Sequence, residues 1–306
     1  MNNNFPLISI AIAAYNHEKY IELCLNSILE DDYPNKEIVI INDGSKDNTK
    51  SVIENWIARN SNKIKIIFKS RENKGIPKTL NELIDLANGD YIAYIASDDC
   101  LLKGGIYKRY QYLKDNLQKM AVIADAMIIN QDGDLLYNSA YNDFYKVNKE
   151  KFKTDESLKH EIVTNFSIPG PVLMVKKAIY KILGKYDENI CYEDWEFYLR
   201  IVSKNLLGYI DNAVCRYRVH PANACRSRSV INITKDNRKI ILKNYKYFKK
   251  YRIFFLKSLI YNEFYLLYLK FKFYLVDHSN NRIYHYLLMN LLKIKECINL
   301  NKNALN

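Results

Sequence analysis

The sequence lacks the patterns that mark several common protein classes. Its six cysteines are scattered, with no CxxC pair and no disulfide-framework spacing, which argues against a zinc site, a redox site and a secreted disulfide scaffold. No stretch of 18 uninterrupted apolar residues occurs, so no transmembrane helix is predicted. The first residues lack a charged n-region and a long apolar h-region, so we expect no signal peptide. These absences together predict a cytoplasmic protein.

The composition is that of an ordinary globular protein. The chain has 306 residues, of which 48% are hydrophobic and 26% are charged, so it can bury a large core in one domain or two. No Gly-x-Gly-x-x-Gly sequence follows the first apolar segment, which argues against a dinucleotide-dependent oxidoreductase.

The positive charge is concentrated at the C-terminal end. Residues 231–306 contain 15 Lys and Arg but only 4 Asp and Glu, and so carry nearly all of the net charge of +12. Their lysines alternate with aromatic and aliphatic residues, which predicts two or three amphipathic helices. Such a tail indicates an anionic partner, and we favour an anionic membrane surface. The alternative is a helical subdomain that packs on the sheet and has a solvated basic face.

The strongest chemical signal is an apolar run, residues 91–97, that ends in the adjacent carboxylates of Asp98 and Asp99. The pattern predicts a buried strand with charge at its carboxyl end, where open α/β sheets bind ligands. Two adjacent acids repel each other unless a cation lies between them, and a divalent metal ion would serve. The alternative is a pair of solvated loop aspartates that cap the helix predicted near Gly104.

Strands and helices alternate through the first hundred residues. The predicted strands cover residues 7–13, 37–41, 64–68 and 91–99, and the helices between them cover 18–30, 47–59 and 77–88. Each strand ends in polar residues. This alternation predicts an α/β fold with a parallel sheet and right-handed crossovers.

The second half of the sequence is less regular. Residues 137–161 have weak periodicity and many polar side chains, which is typical of a mobile surface segment. Around them the pattern predicts a helix at 105–116, a strand at 120–130 that turns into a hairpin, a short strand at 172–175, a helix at 193–204 and a strand at 213–219.

Four polar strand ends follow one another in order. They are Tyr15 with Asn16, Asp43 with Gly44 and Ser45, Asn73 with Lys74 and Gly75, and Asp98 with Asp99. The ordered set resembles the family 2 glycosyltransferases of the GT-A fold. The resemblance continues through Pro171, residues 184–188, Glu193 with Asp194 and residues 217–220, and covers about residues 5–222. It implies a Rossmann-like GT-A domain at 1–222, with a mostly parallel sheet flanked by helices, followed by a basic, tyrosine-rich helical extension at 223–306.

The resemblance implies a nucleotide-sugar donor, usually a UDP-sugar, held with Mn²⁺ or Mg²⁺. Asp43 matches the acid that accepts a hydrogen bond from the uracil ring, and Ala13 to Tyr15 would line the base. The alternative for Asp43 is an Asx-turn or a helix cap before Asp47.

A second segment matches the loop of the family that lies beside the base and ribose of the nucleotide-sugar donor. Its residues are Asn73, Lys74 and Gly75, of which Gly75 would allow close approach of the backbone. Either Lys74 or Arg71 could offset the charge of the phosphates, or both could be solvated surface residues.

Asp98 and Asp99 match the acidic metal motif of the family. A metal that bridges the diphosphate neutralises the charge that develops as the sugar departs. This sequence departs from the common Asp-x-Asp form, because Ala96 stands where many members carry the first acid. The resemblance implies that Asp98 binds the ribose or the metal and that Asp99 binds the metal.

Asp194 matches the catalytic base of the family, which removes the proton of the acceptor hydroxyl in an inverting transfer. The alternative is an acid favoured in the first helical turn by the helix dipole. His220 could complete the metal site or be a loop residue before a proline, and Arg218 could meet the diphosphate. Trp195 could shape the acceptor pocket or belong to the core.

The absence of a Gln-x-x-Arg-Trp motif argues, within this family, against a processive polymerase and for transfer of a single sugar. The implied acceptor is a glycan or a polyprenyl-lipid-linked acceptor of bacterial capsule, O-antigen or lipooligosaccharide synthesis. Two alternatives remain: an inactive donor-binding relative, suggested by Ala96, and a nucleic-acid-binding protein that uses the basic tail. We expect no nucleic acid partner, since it would leave the acidic strand ends without a purpose.

Overall fold

The computed structural model describes residues 5–221, 223 and 230–276. The chain divides into two compact units, residues 1–227 and residues 228–306. The first unit contains the sheet and the polar strand ends, and the second contains the basic helices.

Four parallel strands form one half of the sheet, in the order β3-β2-β1-β4. Most residues of β1, β2 and β4 are buried, as expected for parallel strands covered on both faces. This confirms the predicted α/β alternation. The strands are β1 (Ile8–Ala14), β2 (Lys36–Asp43), β3 (Lys65–Arg71) and β4 (Tyr91–Ala96), and the helices between them are α1 (Ile21–Glu30), α2 (Thr49–Asn60) and α3 (Ile76–Leu86).

The other half of the sheet combines parallel and antiparallel pairs, which agrees with the predicted mostly parallel sheet. The strand order continues from β4 through β8, β6 and β9 to β5, with β7 paired to β6. The pairing of β6 with β9 is long and parallel, whereas the antiparallel pairings each join only two or three residues. The strands are β5 (Cys100–Leu101), β6 (Ala121–Ile129), β7 (Leu135–Tyr137), β8 (Met174–Lys176) and β9 (Leu207–Arg218).

The segment predicted to be a mobile surface stretch, residues 137–161, is tied to the protein interior. It forms a π-turn (Ala140–Phe144), a 3-10 turn (Lys149–Phe152) and the start of helix α5 (Asp155–Thr164). Tyr141 and Phe152 are buried, with ring centroids 4.6 Å apart in an edge contact. The weak periodicity missed them because each is a single anchor within a polar stretch.

Three further α-helices lie in the described part of the first unit. They are α4 (Gly105–Asp115), α6 (Ile179–Leu183) and α7 (Glu193–Ser203). Helix α6 ends at Gly184, whose φ of +77° suits a glycine at a helix C-terminus. Most residues of α7, among them Phe197 and Leu199, are buried.

The buried carboxylate of Glu37 connects the parallel strands near their amino-terminal ends. Glu37 of β2 accepts hydrogen bonds from the hydroxyl of Ser9 in β1 (2.7 Å) and from the backbone N–H of Asn88 (2.7 Å). Its second oxygen lies 2.9 Å from Nζ of Lys65 in β3. The carboxylate therefore links the first three strands and the loop before β4.

The second unit is helical where it is described. Helices α8 (Val230–Asn244) and α9 (Arg252–Val276) are joined by two 3-10 turns. Phe248 in the connection packs edge-on against Phe255 of α9, with ring centroids 5.8 Å apart. The two described helices agree with the predicted pattern, and residues 277–306 lie outside the described part of the chain. Within residues 5–276, apart from the undescribed positions, no helix is long and apolar enough to cross a membrane.

Candidate active site

The polar strand ends meet at one edge of the sheet because their strands are parallel neighbours. Near the carboxyl end of β1, Ala13 pairs with Ile41 of β2 and with Ala96 of β4. The loops after β2, β1 and β4 therefore follow one another along this edge. Ala13 is half-buried in the strand, and Tyr15 is exposed beyond it.

The loop after β2 is built around the carboxylate of Asp43, which is almost fully buried. Its two oxygens accept hydrogen bonds from the backbone N–H groups of Lys74 (2.8 Å) and Gly75 (3.0 Å). The guanidinium of Arg71 donates to the same carboxylate, and the side chain of Asn73 donates to the Asp43 carbonyl at 2.9 Å. The residues predicted to bind the nucleotide-sugar donor thus form one cluster, in which Arg71 is the counter-ion of Asp43. They are Asp43, Asn73, Lys74 and Gly75.

Two glycines allow this close arrangement. Gly44 has a φ of +73°, and a Cβ at this position would lie 2.5 Å from the backbone nitrogen of Asn73. Gly75 has a φ of +85°, and no atom lies within 4 Å of a Cβ built on it. Backbone geometry therefore favours glycine at both positions, and contact requires it at Gly44. The side chain of Lys74 is exposed.

The second cluster lies at the end of β4 and contains His17, Asp98 and His220. Nδ1 of His17 lies 3.8 Å from one carboxylate oxygen of Asp98. Nε2 of His220 lies 2.9 Å from the other oxygen. Candidate ligand atoms of the three side chains all lie within 4.8 Å of one another. These residues could hold a metal ion.

Neighbouring polar groups orient the three side chains. Nδ1 of His17 is 2.7 Å from the hydroxyl of Ser97, and the backbone N–H of His17 donates to Thr49 (2.8 Å). The side-chain amide of Asn223 donates to Asp98 at 3.1 Å, and its oxygen accepts from the backbone N–H of His220 at 2.7 Å. Such outer partners set the direction and basicity of potential ligands.

The charges in this cluster favour cation binding. Burial would raise the pKa of Asp98, but the hydrogen bond from His220 and the charge of His17 outweigh it and lower that pKa. Burial lowers the pKa of His17, and the nearby His220 adds to this effect against the opposing charge of Asp98. A lowered pKa of the Asp98 carboxyl and a lowered pKa of the His17 imidazole both favour the deprotonated forms, which are the forms that bind a metal.

The structure places Asp99 outside this cluster, contrary to its predicted role as a metal ligand. Its side chain is fully buried, and Oδ1 accepts a hydrogen bond from the backbone N–H of Arg218 at 2.7 Å. Oδ2 has no hydrogen-bond partner among the described residues. Burial and the neighbouring charge of Asp98 raise the pKa of Asp99 well above its usual value. The turn after β4 directs one aspartate to the site and the other into the protein.

Arg218 is also placed differently from its predicted contact with the diphosphate. The residue is only 2% exposed. Its guanidinium donates to the backbone carbonyls of Asp98 (2.8 Å), Asn130 (3.1 Å) and Gln131 (3.1 Å), and it lies over the ring of Tyr20, 4.9 Å from the centroid. Because Nε and Nη1 donate to these carbonyls, Arg218 links the loop after β4 to the loop after β6.

Asp194 lies in the first turn of α7 and is half-buried. Its negative charge acts on the buried hydroxyls of Tyr186 and Tyr198 and contributes, after burial, to the raised pKa of each. Tyr186 in turn packs edge-on against Tyr94 of β4, with ring centroids 6.4 Å apart. Trp195 is a core residue, since it is buried and its indole N–H donates to the carbonyl of Ile162 at 2.9 Å.

Sequence reasoning missed His17, Tyr20, Ser97 and Asn223 as members of the site. The position of His17 could have indicated its role, because it follows strand β1 at the same edge of the sheet as Asp98. Tyr20 and Asn223 had no such indication, since they act through a ring contact and a loop hydrogen bond that only the folded chain creates.

Comparison with known proteins identifies the class. The family model of glycosyl transferase family 2 matches residues 9–183, more than half of the chain. The chain therefore belongs to glycosyl transferase family 2 and is a glycosyltransferase, which confirms the resemblance seen in the sequence.

Individual relatives agree with this class. An uncharacterized glycosyltransferase of Rickettsia typhi is 27% identical over 224 residues, which are 72% of this chain and 66% of the relative. Two solved structures share the fold. A mannosyltransferase of Pyrobaculum calidifontis, in complex with GDP-Man and Mn²⁺, matches with a TM-score of 0.61 and 18% identity over 95% of this chain and 81% of its own. S. aureus TarS 1–349, in complex with UDP-GlcNAc, matches with a TM-score of 0.59 and 20% identity over 77% of this chain and 65% of its own. The chain thus spans about two thirds of the Rickettsia relative and of the TarS fragment.

Proposed function

We propose that the protein catalyses an inverting, metal-dependent transfer of a single sugar from a nucleotide-sugar donor, a UDP-sugar, to a glycan or lipid-linked acceptor in bacterial surface-polysaccharide synthesis. The observation that carries this proposal is the order of the two clusters along the sheet edge. The Asp43 loop follows β2, the His17 loop follows β1, and Asp98 follows β4. Since neighbouring strands are about 4.8 Å apart, the two clusters lie about 10 Å apart, which suits an elongated nucleoside diphosphate.

The Asp43 loop would bind the base. A carboxylate offers about four acceptor positions, and three donors from the protein reach Asp43. The remaining position can accept the ring N–H of uracil. Ala13 and Tyr15 lie at the end of the adjacent strand β1 and would flank the base.

His17, Asp98 and His220 would hold the metal. Two imidazoles with one carboxylate suit Mn²⁺ better than Mg²⁺, which prefers oxygen ligands. When bound, the ion would neutralise the charge that develops on the departing diphosphate. Support for this choice also comes from the Mn²⁺ present with GDP-Man in the Pyrobaculum neighbour.

Asp194 would act as the general base. It would accept the proton of the acceptor hydroxyl as that oxygen attacks the anomeric carbon opposite the diphosphate. Its place in the first turn of α7 favours the ionised form through the helix dipole. In this proposal residues 1–222 form the transferase domain and 223–306 form an extension, and the cytoplasmic location stays a prediction.

The decisive experiment measures binding and hydrolysis of a panel of UDP- and GDP-sugars with Mn²⁺, with Mg²⁺ and with EDTA. The variants are Asp98→Asn at the cluster and Asp132→Asn, an exposed aspartate in the β6–β7 turn, as the matched control. We expect a metal-dependent signal for one donor that is lost in Asp98→Asn and kept in Asp132→Asn. Binding of a donor with neither hydrolysis nor transfer to any acceptor would instead identify an inactive relative. Absence of any donor binding would contradict the proposal.

A further inference from the structure

Helix α9 carries an exposed apolar stripe along one face. Its members follow one another at spacings of three, four, four and three residues, which places them on the same side of a helix. They are between 44% and 72% exposed, although all are large and apolar. The stripe consists of Ile253, Leu256, Ile260, Phe264 and Leu267.

A basic segment adjoins the amino-terminal end of this stripe. Between residues 242 and 257 no Asp or Glu occurs, and the cationic side chains there are exposed. Leu242, Tyr245 and Tyr247 are exposed among them. The cations are Lys243, Lys246, Lys249, Lys250, Arg252 and Lys257.

We propose that the stripe and the basic segment together form a docking surface for an anionic lipid bilayer. The apolar side chains of the stripe enter the boundary between headgroups and acyl chains, and the lysines meet the anionic headgroups. The tyrosines have a ring and a polar hydroxyl, which suits the same depth. This surface goes beyond the transfer reaction and does not depend on it.

Charge and side-chain type favour a bilayer over the other occupants of an apolar stripe. A second copy of this chain would bring two basic segments of the same sign together, and like charges repel. A nucleic acid would satisfy the lysines and could stack on Tyr245 and Tyr247, but it would leave the aliphatic stripe without an apolar partner. An anionic bilayer complements both the charge and the aliphatic side chains.

Vesicle flotation with the full chain tests the proposal. The vesicles contain either phosphatidylcholine alone or an equal mixture of phosphatidylcholine and phosphatidylglycerol. The test variants are Leu256→Glu/Ile260→Glu in the stripe and Lys249→Glu/Lys250→Glu in the basic segment. The matched controls lie in the first unit, where Leu117 is 80% exposed and Lys108 is exposed; they are Leu117→Glu and Lys108→Glu.

We expect the wild type to float with the mixed vesicles only. Each double variant should lower the bound fraction at least about tenfold, while the two controls float like the wild type. Equal flotation of the stripe variant and the wild type would overturn the proposal. A wild type that does not bind the mixed vesicles would also overturn it. In that case, a dimer that the stripe variant breaks would identify a second copy as the occupant, and RNA binding through the lysines would identify a nucleic acid.

Thermal unfolding and donor hydrolysis without vesicles are measured on the same variants. The substituted side chains are exposed, so both quantities should match those of the wild type. If the wild type floats but does not hydrolyse a donor, the proposed reaction is rejected and the docking surface is supported. If it hydrolyses a donor but does not float, the docking surface is rejected and the proposed reaction is supported.

Discussion

Nε2 of His220 lies 2.9 Å from Oδ2 of Asp98, although 122 positions separate them in the sequence. Strand β4 ends just before the aspartate and strand β9 just before the histidine. The pair is almost fully buried, and Asn223 adds a second hydrogen bond to the same carboxylate oxygen. Residues from the middle and from the carboxyl end of the first unit therefore meet at one carboxylate, which makes this carboxylate a suitable place to test the site.

The two adjacent aspartates should differ in their effect on metal binding. We expect Asp98→Asn to lower the affinity for Mn²⁺ about 100-fold, because it removes a charged ligand, and Asp99→Asn to change it less than about fivefold. Isothermal titration with Mn²⁺ alone measures both. A larger loss in Asp99→Asn than in Asp98→Asn would restore the sequence-based assignment of Asp99 as the ligand.

His17 should matter for the metal although no motif identified it. We expect His17→Ala to lower Mn²⁺ affinity at least about tenfold, since its ring lies within ligand distance of Asp98. The control is His160→Ala, which removes an exposed histidine from α5. Titration of both variants with Mn²⁺ measures the two affinities. If His17→Ala binds Mn²⁺ as tightly as His160→Ala, His17 is not a ligand.

Asp43 should select the base through a ring N–H. Uracil presents an N–H at ring position 3, whereas cytosine presents an acceptor that the carboxylate would repel. We expect the wild type to bind UDP at least about tenfold more tightly than CDP, and Asp43→Asn to lose most of this preference. Calorimetry with both nucleotides measures it, with the exposed Asp90→Asn as the control. An unchanged preference in Asp43→Asn would limit Asp43 to holding the loop.

Arg218 should act on stability. Arg218→Lys cannot reach all three carbonyls, and leaving buried carbonyls unpaired should lower the free energy of unfolding by about 3 kcal/mol. Arg216→Lys, exposed on the same strand β9, should change it by less than about 0.5 kcal/mol. Chemical denaturation followed by circular dichroism compares the two. Weaker UDP binding by Arg218→Lys at unchanged stability would instead indicate contact with the diphosphate.

Glu37 should make stability depend on acid pH. Burial opposes ionisation of Glu37, but its ion pair with Lys65 and its hydrogen bonds from Asn88 and Ser9 outweigh burial and lower its pKa in the folded state. A pKa lowered by folding contributes stability that is complete above the unfolded value of about 4.3 and is lost as the pH falls through the folded value.

Glu37→Gln should therefore be about 2 kcal/mol less stable than the wild type at neutral pH, and the difference should shrink as the pH falls below about 4. Urea denaturation between neutral and acid pH measures this, with the exposed Glu30→Gln as the control. A difference that stays constant across that range would show that the charge of Glu37 does not stabilise the fold.

Much of the fold could be read from local patterns. The buried strands β1, β2 and β4 are continuous apolar runs, and the helix predicted at 77–88 corresponds to α3, which ends at Leu86. The antiparallel insertion of β8 between β4 and β6 was not predictable, because three residues carry too little pattern to show their partner. The same limit applies to the single anchors Tyr141 and Phe152.

Local patterns were enough to predict the family, the alternating α/β order and the positions of Asp43 and Asp98 at strand ends, because apolar periodicity and the residue types that follow each strand are visible without the fold. The folded chain was needed to show that Asp98 faces the cluster while Asp99 is buried, and that Arg218 binds carbonyls. The physical reason is that adjacent residues in a turn point in different directions. Which of them reaches a ligand depends on groups far away in sequence, such as His220 and Asn223, that fill the remaining space.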